Sequence, residues 1–244
     1  KREIEKASDE SSRMESLAKN SEQFCKAALP LVLKDRLSWR GVAIVQTGDY
    51  DDLSGSVKRA VDLAGGTVTS VSDISREFAF DDDQAIERAL VSIGIAPPDN
   101  PKECRDKLFA VLADTLRNGS YAESISAFEQ AGLGHFTGNY YRINRLVVLV
   151  GGAAADRDGT AQGVDSRLIE QLVKKGAVVV GCEGTQAASS YVPAWFKAGI
   201  ATVDNADTAM GQVALVCALS GEMAQFGVKE TADRLVPQTL ETGN

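Results

Sequence analysis

Residues 1–23 form a polar stretch without Gly or Pro that places Ile4, Ala7, Ser11, Met14 and Leu17 at intervals of three and four. That spacing predicts a helix with a thin apolar seam, and charged side chains fill much of the remaining surface. The seam leaves two readings open: a dimerising coiled-coil stalk, or a single solvated helix. From Phe24 the pattern turns more apolar (FCKAALPLVL), which predicts that the same helix docks on the domain C-terminal to it, with Pro30 a candidate kink.

The next pattern is an alternation of short apolar runs and helical spacings. Val42–Thr47 is a β-branched run ending in Gly48, and Leu53–Ala64 has helical spacing until Gly65-Gly66. A second strand is predicted at Thr67–Ile74. The alternation resumes with strand Arg145–Val150, helix Asp165–Lys175, strand Ala177–Cys182 and a helical stretch over Ser189–Ala198. A strand at Ile200–Val203 and a helix from Thr208 to Gln225 complete it. Continuous apolar runs separated by helices predict an α/β fold: a Rossmann-like, doubly wound, mainly parallel sheet of about five strands. Between the second and third runs lies an insertion at about 79–143, longer than a single crossover needs. Its helix-like segments (Asp83–Ile93, Pro101–Arg117, Tyr121–Ala131) predict a helical subdomain or cap beside the sheet. The expected organisation is therefore a stalk over 1–36, an α/β domain over 37–237 and a tail over 238–244.

Composition narrows this picture. With 44% apolar and 25% charged residues the chain is in the globular range, and its formal charge of −8 predicts no basic stripe able to neutralise phosphates. Nucleic acid and anionic membrane surfaces are accordingly poor expected partners. No apolar run approaches the roughly 18–20 residues that cross a bilayer. Because Lys1 falls inside what reads as the middle of a helix, a membrane anchor upstream is expected. Cys25, Cys104, Cys182 and Cys217 are far apart, with no CxxC pair, and are expected to be small buried packing residues.

Candidate chemistry gathers where ligands of doubly wound sheets bind, beyond the carboxyl ends of the strands. Asp49, Asp51, Glu183, Thr185, Asp204, Asn205, Asp207 and Thr208 fall there. They read either as a small-molecule or hard-cation pocket or as turn and cap residues satisfying backbone amides, and the second reading is favoured. Neither GxGxxG nor GxxxxGK[ST] occurs in place, so no dinucleotide or phosphate cradle is predicted. His135, the only histidine, lies in a glycine-flanked stretch with no nucleophile motif and reads as a surface or hinge residue. Met14, Met210 and Met223 are isolated, so no site for a soft metal ion is predicted. Asp81-Asp82-Asp83 reads as a helix N-terminus, and Tyr140-Tyr141-Arg142 as either a contact patch or packing. No catalytic residue, metal site or cofactor is expected.

Thr202–Gly211 (TVDNADTAMG), with Ala214, Leu215 and Val216 after it, resembles a signature of the MctB copper transport protein family. Phe226–Pro237 (FGVKETADRLVP) is similar to that family's ending, although Gln225-Phe226-Gly227 stands where His-Tyr-Gly is common, removing one metal-binding candidate. The resemblance spans about residues 24–237. It implies a single-pass membrane protein with a coiled coil, an extracytoplasmic α/β domain and a part in copper transport or tolerance across the cell envelope. SteB-like relatives imply an alternative, a scaffold binding a SteA-like membrane partner to control peptidoglycan hydrolysis and cell separation. A third reading is a small-ligand or cation sensor. Expected partners are a second copy of the chain, through the N-terminal helix, and a membrane protein.

Overall fold

The computed structural model describes residues 2–48, 51–74, 82–154 and 161–241. Helix α1 (Arg2–Leu33) leads through a short turn into β1 (Gly41–Gln46), followed by α2 (Asp51–Leu63) and β2 (Thr67–Asp73). The insertion supplies α3 (Asp83–Ser92), α4 (Pro101–Asn118), α5 (Ile125–Gln130) and β3 (His135–Gly138). After β4 (Leu146–Val150) a single π turn (Ala161–Asp165) opens α6 (Ser166–Lys174). Then come β5 (Val178–Cys182), α7 (Val192–Lys197), β6 (Ala201–Val203), α8 (Ala209–Leu219), β7 (Gln225–Phe226) and α9 (Gln238–Glu241).

The strands form one mixed seven-stranded sheet in the order β3-β2-β1-β4-β5-β6-β7. Every pairing is parallel except β2 with β3. Two strands exceed the expected five. The first, β3, is four residues inside a stretch read as flexible, too short to display alternation, and is held by pairing Thr137 with Val71. The second, β7, begins at Gln225, where the expected helix was to end; α8 instead ends at Leu219, and Gly221 (φ 112°) turns the chain back to the sheet edge.

Successive strand side chains point to opposite faces, and each face has its own core. Ala43, Val45, Val147, Leu149 and Val179 pack with α3, α4, α6 and α7. Val42, Ile44, Leu146, Val148 and Val180 pack with α2, α8 and, through Leu29 and Leu33, the end of α1. The insertion thus covers one sheet face, with α4 lying against α6 and β4. Trp195, fully buried on that face, occupies the space a Cβ at Gly181 would take, so only glycine lets α7 approach β5 so closely.

Helix starts are chemically marked. Asp82 Oδ1 accepts the amides of Gln84 (2.9 Å) and Ala85 (3.2 Å) at α3. Asn100 caps α4 ahead of Pro101, and Thr208 Oγ1 accepts the Gly211 amide (3.0 Å) at α8. Asp81, expected to share the start of α3 with Asp82, lies outside the described residues.

Orientation is fixed by two contacts. The α8 start lies at Glu22 (Ala209 N to Glu22 Oε1, 3.4 Å), and Cys217, near the end of α8, lies at Arg36 (3.8 Å), so α1 and α8 run in the same direction. Helix α8 returns from the carboxyl end of β6. The N-terminal part of α1 therefore projects beyond the carboxyl ends of the strands, and the 34–40 turn sits at their amino ends.

Candidate functional site

The carboxyl-end rim brings together Glu183, Thr185, Asp204, Asn205, Asp207 and Thr208. Asp49 lies outside the described residues; Asp51 opens α2, and its side chain is also outside them. Glu183, directly after β5, is fully buried. It accepts from Ser190 Oγ (2.6 Å), the Tyr191 amide (2.8 Å) and Lys229 Nζ (2.7 Å). Lys229 also reaches the carbonyls of Gly184 and Ala187 (both 3.4 Å), so one ammonium ties the loop after β5 to the loop after β7. Asp204, directly after β6, is buried and accepts the amides of Val228 (2.8 Å) and Lys229 (2.9 Å). Gly227 (φ 151°) passes so close to that carboxylate that any Cβ would overlap it.

Asp207 does not cap α8. It braces the loop after β5 by accepting from the Thr185 amide (2.9 Å) and Thr185 Oγ1 (2.6 Å), while Thr208 alone caps. The two adjacent residues point apart because the Asn205 carbonyl holds both the Thr208 amide (2.9 Å) and its hydroxyl (2.8 Å). The carboxylates and hydroxyls of this rim are thus committed to the chain's own donors.

A third buried carboxyl lies where the strand order reverses between β1 and β4. Asp165 Oδ2 accepts from Trp195 Nε1 (2.7 Å) and Thr47 Oγ1 (3.1 Å); Oδ1 is buried without a partner among the described residues. Burial pushes its pKa up to about 7 against the opposing pull of those two hydrogen bonds. In the sequence Asp165 reads only as the start of a helix, and no local signal marks it. Its burial comes from residues 118 and 30 positions away.

The apolar surface of α1 divides in two. Leu29 and Leu33 are buried against the domain, whereas Met14, Leu17, Phe24 and Leu31 are 62%, 52%, 74% and 81% exposed. Those four share one heptad register, in which Ser21 and Ala28 fill the intervening seam positions. The exposed seam therefore continues past Phe24 along the docked part of the helix, beyond the stretch the sequence marked. The side chains of Ile4 and Ala7 lie outside the described residues.

Charge is sorted as well. Lys34, Arg40, Arg142 and Arg145 are exposed at the amino ends of the strands, with no carboxylate partner among the described residues. Trp39, at φ 64°, is fully exposed beside Arg40. The composition concealed this because it averages the two ends of the sheet.

Cys104, Cys182 and Cys217 are buried and Cys25 is partly exposed; all four are free thiols. Burial raises the pKa of the three buried ones. His135 is exposed on β3, with Nδ1 3.4 Å from Glu129. No group of three or more His, Cys, Asp or Glu able to hold a metal ion occurs among the described residues.

An α/β domain with a mostly parallel sheet and a long leading helix defines the architecture. The family model described as copper transport outer membrane protein, MctB, matches residues 1–237, and the chain belongs to that family. No curated protein matches it. No helix among the described residues is long and apolar enough to cross a membrane.

Proposed function

We propose that this chain serves copper handling in the cell envelope indirectly, as a non-enzymatic, membrane-anchored scaffold that pairs through α1. The domain is Rossmann-like and doubly wound: the parallel strand order reverses between β1 and β4, and helices cover both faces. The carrying observation is the solvent-facing seam of Met14, Leu17, Phe24 and Leu31. Full burial of each such side chain is worth about 1.5–3 kcal/mol, and a second α1 in parallel register offers the matching surface. A single-pass anchor upstream of α1 and an extracytoplasmic position for the domain belong to this proposal.

Sedimentation equilibrium of the 244-residue chain at tens of micromolar tests it. A dimer is expected, with Leu17→Glu and Phe24→Glu each giving monomers that melt normally. A monomeric parent chain overturns pairing through α1.

The SteB-like reading, in which such a pair holds a SteA-like membrane partner to regulate peptidoglycan hydrolysis, draws on the same seam. Reconstitution with that partner separates it from the copper reading. A ligand or cation sensor has less support, because Glu183, Asp204 and Asp207 are already engaged by the fold.

A further inference from the structure

A protein of net charge −8 has a basic, aromatic end. Arg40 precedes β1 and Arg145 precedes β4, and the pairing of Val42 with Leu146 puts these two arginines at the starts of neighbouring strands. Arg142 joins them because the Asn144 side chain, which accepts from Thr69 Oγ1 (3.0 Å), also reaches the Arg142 carbonyl (3.5 Å). None of the three guanidiniums has a carboxylate partner among the described residues. Asp114, which faces this end from α4, is already paired with Lys175 (2.8 Å). Asp35, in the turn that carries Trp39, accepts from Ser38 Oγ (3.4 Å).

Next to the arginines in sequence are exposed apolar side chains. Trp39 is 100% exposed, Tyr141 68% and Ile143 69%. Trp39 is also held at φ 64°, a left-handed conformation a tryptophan adopts only at a cost, while its amide is fixed on the Gly65 carbonyl (3.3 Å). A strained backbone that displays a tryptophan wholly to solvent gains nothing for the isolated fold.

We propose that this end, formed by Trp39, Arg40, Tyr141, Arg142, Ile143 and Arg145, docks on an anionic lipid surface. The chemistry favours a bilayer over a folded partner. Amphipathic rings settle at the headgroup level, and arginines beside them meet lipid phosphates without needing a shaped pocket. The patch lies at the end of the sheet opposite the free part of α1. A surface held here is therefore a different one from any that holds the start of that helix.

Intrinsic fluorescence gives the test, because the chain has two tryptophans and Trp195 is fully buried. Vesicles of phosphatidylcholine and phosphatidylglycerol at 7:3 should shift the emission to the blue, and pure phosphatidylcholine vesicles should not. Arg40→Gln and Arg145→Gln should each weaken vesicle co-sedimentation about fivefold, in line with the typical contribution of one basic residue near an anionic surface. Both sites are exposed, so melting should be unchanged. Trp39→Phe should abolish the spectral shift while the protein still sediments with vesicles. Equal binding to both lipid compositions, or an unchanged spectrum with phosphatidylglycerol present, overturns the proposal. So does equal binding by the arginine variants. A stronger response to inorganic phosphate or to a duplex oligonucleotide than to the vesicles would assign the patch to phosphate groups in general and overturn the lipid assignment.

Discussion

At the residue scale, Asp165 should dominate the pH dependence of stability. Its carboxyl ionises at its ordinary 3.8 in the unfolded chain and at about 7 in the fold. Between those values the native state retains a proton the unfolded chain has released, so stability falls as pH rises from about 4 to about 7 and levels off above. The full penalty is on the order of 4 kcal/mol. Asp165→Asn keeps an acceptor for Thr47 and Trp195 and removes the charge. Urea melts should show it more stable than the parent chain at pH 7.5 and matched at pH 4; a parallel pH profile for both proteins would reject this role.

Adjacent residues at the rim should behave differently. Thr208→Ala removes the α8 cap and should cost about 0.5–2 kcal/mol. Asp207→Ala releases an exposed brace on Thr185 and should cost about 1 kcal/mol or less, because water replaces the lost bonds. Thermal melts of the two variants side by side decide the order. The sequence placed Asp204, Asp207 and Thr208 correctly at a strand-to-helix turn, since cap and turn residues act locally. It did not separate the cap from the brace, because that choice depends on Thr185, 22 positions away.

At the scale of elements, the short runs rich in apolar and β-branched residues announced β1, β2, β4, β5 and β6, and the helical spacings announced most of the helices between them. What escaped was short and paired from a distance: β3 against β2, and β7 against β6. A two-residue strand has no period to read, so its existence depends wholly on its neighbour. In α1 the two apolar faces are superposed in sequence, and docking looked as if it began where the seam ended. The structure separates them, because Leu29 and Leu33 face inward while Phe24 and Leu31 face out. In a parallel pair Ser21 would meet its own copy across the seam. Ser21→Cys should therefore form a disulfide-linked dimer under mild oxidation, visible on a non-reducing gel, whereas Gln23→Cys, outside the seam, should not.

At the scale of the whole molecule, three of the four thiols are enclosed, and the sole histidine belongs to no metal-binding group among the described residues. Titration with Cu(I) against a chromogenic chelator under reducing conditions should therefore show no stoichiometric submicromolar site. A one-to-one site lost in Cys25→Ser, the accessible thiol, would reverse this and make the chain itself a copper carrier. The segregation of charge was invisible in the composition because strand ends far apart in sequence meet only once the sheet has formed.

The long run of α1 has a mechanical consequence. Its 32 residues span about 48 Å at the usual rise, and residues 9–21 are exposed along the part that precedes the docked turns. The remainder is clamped along α8 through Leu29, Leu33 and the Glu22 contact at Ala209. A rod gripped over its last turns by a packed core acts as a lever. Bending or twisting its far end loads α8 first, and through Thr208 and Asn205 it loads the loop that carries Asp204. Tension at one extremity of the molecule is thus delivered to the rim where Lys229 and Asp204 tie together the loops after β5, β6 and β7.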